Sequence, residues 1–199
     1  VDQAARRAQL DRVSVSLPSL RLDSFSVEMA DAVADVRRSG LTFAPEAATP
    51  RLRALINKWI PDEGLLDMAG EAYKRGWQHV KCYFMIGLPT ERDEDIEAIV
   101  DLCKRTLAVG RAINPKARVH LGVSTFVPKP FTPFQWAAQI DMTETERRQD
   151  ILERGFKGNG GIRFGRHAAQ TTFIEGLLAR ADRRGADLLE AAWRNGARF

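Results

Sequence analysis

Cysteine is scarce: the 199 residues contain two, Cys82 and Cys103. Alone and so widely spaced, they cannot make a zinc or iron–sulfur site. One falls in a strand-like run and the other on a helix-like face, so both read as small buried hydrophobes of an intracellular chain. No stretch reaches the roughly 18 uninterrupted apolar residues a membrane-spanning helix needs. The amino-terminal VDQAARR lacks the apolar heart of an export signal. A cytoplasmic protein with no membrane partner is therefore expected. There is no glycine-rich phosphate loop, no Gly-x-Ser-x-Gly elbow and no acid pair suited to hydrolysis. The histidines His79, His120 and His167 share no ligand-like spacing. His79 and His120 are expected to be structural, and His167 falls in a polar loop with no assigned role. Blocks of like charge are also missing. The net charge of +4 is spread along the chain, which fits a solvated basic surface and leaves open a surface for nucleic acid or an anionic substrate.

What is present is a repeated pattern. Four apolar, β-branched runs each climb into a polar mouth that carries proline: Val13–Arg21 (VSVSLPSLR), Leu41–Glu46 (LTFAPE), Val80–Glu91 (VKCYFMIGLPTE) and Val119–Pro130 (VHLGVSTFVPKP). Helix-like sequence follows each of them. Strands alternating with helices predict parallel βαβ units, and in such sheets ligands gather at the carboxyl ends of the strands. That rim would carry Ser19, Arg21, Glu46, Thr90, Glu91, Ser124 and Lys129. A 44% hydrophobic content is enough for a real core.

Between the strands, apolar spacing predicts helices over about 24–39, a short one after Thr49-Pro50, one marked by Leu65, Met68, Ala69, Ala72 and Tyr73, and one with Ile96, Ile99, Val100, Cys103 and Leu107 inward. Thr90–Asp93 resembles a capping box for the last of these. Composition shifts near residue 137. From there, Thr143–Glu146 reads as a second capping box, Ile162–Phe164 as a short strand, and 171–195 as one or two amphipathic helices. Two regions are thus expected: 1–136, bearing the main strands, and an α-rich appendage over 137–199.

Three segments carry a resemblance. Phe43–Lys58 (FAPEAATPRLRALINK) is similar to the fourth-strand segment of radical S-adenosylmethionine (SAM) enzymes. Tyr83–Glu91 (YFMIGLPTE) resembles their fifth-strand segment, above all in the cobalamin-binding and methylthiotransferase-like branches. Ser124–Pro133 (STFVPKPFTP) looks like their sixth-strand exit. The tail from Arg180 to Phe199 is similar to the end of an uncharacterised cobalamin-binding-type group. The resemblance implies an α/β fold, the carboxyl half of a TIM-like barrel comprising strands three to six. It also implies roles. Glu46 would accept hydrogen bonds from the ribose or amino group of SAM. Gly87 would let a flat ring approach, Ile86 would pack on adenine, and Pro89 would belong to the same turn. The backbone of Phe126 and Val127 would pair with adenine, and Ser19, Arg21 and Ser124 would complete the cofactor side. Lys58, Lys129, Gln135 and Trp136 are candidates for the substrate side. Each of these residues also has a plain structural explanation: a solvated turn, a helix-terminal charge, a strand bulge or a packed tryptophan.

One departure stands out. The Cys-x-x-x-Cys-x-x-Cys loop that holds the [4Fe–4S] cluster in this family is absent, as is its glycine-rich motif after the second strand. The chain also begins at Val1 rather than at a methionine. The expectation is a fragment whose partner is the missing amino-terminal half, with SAM, the cluster and, in some branches, cobalamin as cofactors. The complete enzyme would cleave SAM to a 5′-deoxyadenosyl radical that abstracts hydrogen from an unspecified small-molecule or RNA substrate. Two other readings remain: a non-catalytic module binding RNA or protein, and a cluster-free (β/α) barrel enzyme.

Overall fold

The computed structural model describes residues 41–197. The strand expected at 13–21, the helix after it, and Ser19 and Arg21 lie outside the described residues. Within them the chain runs β1 (Leu41–Glu46), α1 (Pro50–Leu55), α2 (Asp62–Lys74), β2 (His79–Ile86), α3 (Asp93–Ile113), β3 (Arg118–Thr125), α4 (Met142–Phe156), β4 (Ile162–Arg166), α5 (Ala169–Arg180) and α6 (Arg184–Arg194).

The four strands form one sheet in the order β1-β2-β3-β4, and every pairing is parallel. The order follows the chain without reversal, as in a barrel segment; a doubly wound sheet reverses at a switch point. The fold is α/β, an open parallel sheet of the partial-barrel kind. The short strand expected at 162–164 extends to Arg166. It pairs with β3 from Val119↔Ile162 to Val123↔Arg166, so it is a full member of the sheet.

Strand alternation sorts the side chains onto two faces. Phe43, Val80, Cys82, Phe84, Ile86, Val119, Leu121 and Val123 are buried in one core with Leu65, Ala69 and Tyr73 of α2, Ile96, Ile99 and Cys103 of α3, and Leu152 of α4. Both cysteines are buried there and free. The alternate positions, Lys81, Tyr83, Met85, His120, Gly122 and Ser124, are half-buried or exposed. They occupy the face that would look into a barrel's lumen.

Helix ends follow local chemistry, with small shifts from expectation. Thr49 precedes Pro50 at the first helical position, but its hydroxyl donates to Asp95 Oδ1 (2.6 Å) rather than capping its own helix. The box expected at Thr90–Asp93 sits further on: Arg92 is the N-cap, and its amide donates to Asp95 Oδ2 at 2.9 Å. α4 is capped by Asp141, whose Oδ1 accepts from the Glu144 amide at 2.7 Å, two residues before the expected Thr143. The 171–195 stretch resolves into two helices, and α6 buries none of its residues.

Candidate functional site

β1 ends irregularly. Its pairing with β2 is regular from Leu41 to Phe43 and then skips to Glu46↔Phe84. Pro45 has no N–H to offer the ladder, which favours such a break. Glu46 itself lies at φ +65°. This left-handed conformation is costly for a residue with a Cβ and tends to persist where surrounding contacts impose it, often at functional sites. The contacts here are specific. Arg53, 1% exposed, donates through Nη1 to the carbonyls of Ala47 (3.3 Å) and Ala48 (3.2 Å), and through Nη2 to Asp62. Lys58 Nζ donates to the Ala44 carbonyl and lies 3.3 Å from Glu46 Oε1. A buried arginine thus fixes the turn after the strand, and a lysine steers the carboxylate.

The turn after β2 is laced to its neighbours. Asp95 accepts from Thr49, Arg51 and the Arg92 amide, while Arg51 Nη1 donates to Thr90 Oγ1 at 3.0 Å. Burial opposes ionisation of Asp95, but the Thr49 hydroxyl, the Arg92 amide and Arg51 together hold its carboxyl below the usual carboxylate range. Glu91, with a side chain 1% exposed, accepts from the Gly87 amide and from Arg148 of α4. Burial pushes Glu91 up to about 7 against those two donors. At the far side, Arg147 grips Asp93 with two guanidinium nitrogens, at 2.6 and 2.8 Å. Glu91 is therefore an internal clamp on the β2 exit and α4.

A cleft of about 650 Å³ opens at the carboxyl edge. Glu46 and Lys58 line it from the β1 side, Met85 and Leu88 from β2, Ser124, Thr125, Phe126 and Val127 from β3, and Lys129 and Phe134 from the loop that follows. Phe126 and Phe134 meet edge to face with ring centroids 6.0 Å apart. The Phe126 amide donates to the Ile86 carbonyl at 2.7 Å, extending the β2–β3 ladder into the mouth. Lys129 bonds Glu175 of α5 at 2.7 Å, so that helix closes one side. Thr125 Oγ1 is buried with no hydrogen-bond partner, and its residue lines the cleft. A buried hydroxyl left unbonded costs roughly 1–3 kcal/mol; Thr125 is the register partner of Ile86 and shares its helix-side parity, so the oxygen is sealed from the cleft.

Of the eleven expected site residues among the described ones, six converge here: Glu46, Ser124, Phe126, Val127, Lys58 and Lys129 line one cleft. Others do not. Ile86 is fully buried in the helix-side core, because it shares alternation with Val80 and Phe84; the apolar side chain that β2 offers to the cleft is Met85. Gly87 has φ +84°, and a Cβ there would come within 2.9 Å of Ile140. That glycine is required by the turn and by Ile140, and neither it nor Pro89 lines the cleft. Gln135 and Trp136 fall in a separate recess of about 440 Å³ beside Ala137, Ala138 and Arg180. Trp136 is 89% exposed, and Gln135 Oε1 accepts from the Phe131 amide at 3.3 Å. His167, left without a role by the sequence, follows β4 directly and lines the cleft; reading 162–166 as a strand parallel to β3 would have found it. Thr125 carries no comparable sequence signal. Among the described residues no three histidine, cysteine or acidic side chains gather as a metal site, and no helix is long and apolar enough to cross a membrane.

A parallel sheet in sequential order and helices packed on one face, with a mixed apolar and charged cleft at the carboxyl tips, define a segment of a (β/α) barrel. The profile of the radical SAM superfamily matches residues 1–103, and the chain belongs to that superfamily. It is 34% identical over 170 residues to the uncharacterised protein MJ0966 of Methanocaldococcus jannaschii, covering 85% of this chain and 36% of that one. To the uncharacterised methyltransferase PH0819 of Pyrococcus horikoshii it is 31% identical over 87 residues, 44% of this chain and 19% of that protein. The chain thus spans little more than a third of MJ0966 and less than a fifth of PH0819. The crystal structure of SuiB from Streptococcus suis shares the fold, with a TM-score of 0.57 at 11% identity over 87% of this chain and 38% of that one.

Proposed function

We propose that this chain forms one wall of the SAM pocket in a radical SAM enzyme and contributes part of the substrate opening. The observation carrying this reading is the convergence of Glu46 from the β1 exit, Met85 and Leu88 from the β2 exit, and Ser124, Phe126 and Val127 from the β3 exit on one cleft. Bound with an electron-donating [4Fe–4S] cluster, SAM supplies the carbon-centred radical that removes a hydrogen atom from substrate. The work of this chain is to bind and orient. Glu46, already paired with Lys58, offers a charged acceptor to hydroxyl or amino donors. Met85, Leu88 and Phe126 exclude water from a flat ring.

The three-cysteine loop belongs, in this proposal, to sequence upstream in the same protein, which also supplies the rest of the barrel. The substrate chemistry and any cobalamin are functions of that larger protein. Calorimetric titration of SAM into the full chain tests the pocket. Saturable binding weakened at least tenfold by Glu46→Gln is expected; equal binding by both proteins would overturn the assignment.

A further inference from the structure

The lumenal face carries a second feature, separate from the carboxyl-edge cleft. Lys81, His120 and Arg163 form one row across three strands, in the register Lys81↔His120↔Arg163. All three line a recess of about 200 Å³ together with Tyr83, Gly122 and Gly165. We propose that this recess binds an oxyanion, a phosphate or a carboxylate, borne by the substrate. Assigning that anion to a substrate rests on the radical SAM reading; the anion site itself does not.

The row is basic on all sides. The His79 ring lies 4.9 Å, centroid to centroid, from His120. Partial burial and then the charges of His79, Arg163 and Lys81 hold His120 below its ordinary value, and no carboxylate acts the other way. The contrast with the rim is informative. There, Arg51, Arg53, Lys58, Lys129 and Arg148 each hold a carboxylate. No carboxylate among the described residues bonds Lys81, His120 or Arg163. Lys81 and Arg163 flank His120 in the row, and an anion seated there gains charge-assisted hydrogen bonds from both. Arginine adds the planar fork that suits phosphate and carboxylate oxygens.

The space beside the row is shaped as well as charged. Gly122 and Gly165 are register partners on β3 and β4. A Cβ at Gly122 would fall 2.6 Å from the Tyr83 ring, so the ring lies directly on that glycine. A Cβ at Gly165 would meet only the Leu121 carbonyl, at 3.6 Å, leaving the floor there open. Tyr83, 46% exposed, therefore offers an aromatic wall next to a side-chain-free floor, with the cations alongside. Lys81 stands four residues before Met85, about 13 Å along the strand from the cleft. A small molecule could span that length, its anion in the recess and its reacting end near the rim.

The test uses the full chain without SAM. Inorganic phosphate and benzoate are titrated separately by calorimetry into the native protein, Lys81→Ala, Arg163→Ala and Glu46→Gln. All three substituted positions are at least partly solvent-exposed, and unchanged thermal midpoints would establish that the variants fold. The expected result is saturable binding of at least one anion, reduced tenfold or more by Lys81→Ala and by Arg163→Ala and unchanged by Glu46→Gln. Preference for phosphate or for benzoate identifies which oxyanion the recess selects. Binding of neither anion, or binding that survives both lumenal substitutions, would overturn the proposal and leave the row to carboxylates from outside the described residues. Loss of SAM binding in Glu46→Gln tests only the rim, so the two failures are distinguishable.

Discussion

The two faces of β2 differ more than any two regions of the chain. Val80, Cys82, Phe84 and Ile86 are essentially inaccessible, whereas Tyr83, between them, is 46% exposed. The same eight residues thus serve as the centre of a packed core on one side and as a solvent-accessible wall on the other. Stability rests on the first set and the proposed recognition on the second, and a one-residue slip would exchange them.

Substitutions on either side of the strand should break the chain in different ways. Phe84→Ala removes a large, fully buried ring and should destabilise by about 3–5 kcal/mol. Tyr83→Ala, on the lumenal face, should cost under about 1 kcal/mol. Urea unfolding of the two variants checks this, and comparable losses would mean that the lumenal face is packed.

A middle-sized effect comes from the clamp between the faces and α4. Burial raises Glu91 in the folded chain to about 7, so the folded state holds a proton there that the unfolded state has released. Stability should therefore decline as pH rises from about 4.5 to about 7, by about 1–3 kcal/mol. Glu91→Gln should flatten that slope in denaturant titrations at several pH values. An unchanged slope would show that Arg148 and the Gly87 amide keep the carboxylate ionised throughout.

The smallest effect is expected at Thr125. Replacing it with valine removes an unbonded buried hydroxyl at nearly constant volume, so the free chain should gain up to about 1 kcal/mol. SAM binding should be unchanged, because the hydroxyl is sealed from the cleft. A gain in stability with affinity unaltered would sharpen the distinction between what the fold buries and what the cleft presents.

Much of this was legible in the sequence. The alternation of strands and helices, the inward faces of α2 and α3 and the position of Glu46 at a strand exit all follow from apolar spacing and from Thr49-Pro50. The parity of β2 was harder. VKCYFMI is apolar at almost every position because Tyr83 and Met85 are apolar too, so period-two alternation is hidden and Ile86 looks as good a ligand contact as Met85. Two caps moved by two residues, from Thr90 to Arg92 and from Thr143 to Asp141, while Thr49 keeps the N-cap position but spends its hydroxyl on Asp95 across 46 residues. Trp136 and Gln135 sit near Lys129 in sequence, yet the proline-rich loop carries them to another recess. The row of Lys81, His120 and Arg163 exists only once the register is known.

The central claim is that the carboxyl tips of three parallel strands form one nucleoside-shaped pocket. Hydrogen–deuterium exchange of the full chain with and without SAM tests it directly. Protection confined to peptides covering 44–46, 85–88 and 124–127 is the predicted result. Protection at the amino ends of the strands instead, or at one exit while the other two stay unchanged, would contradict it.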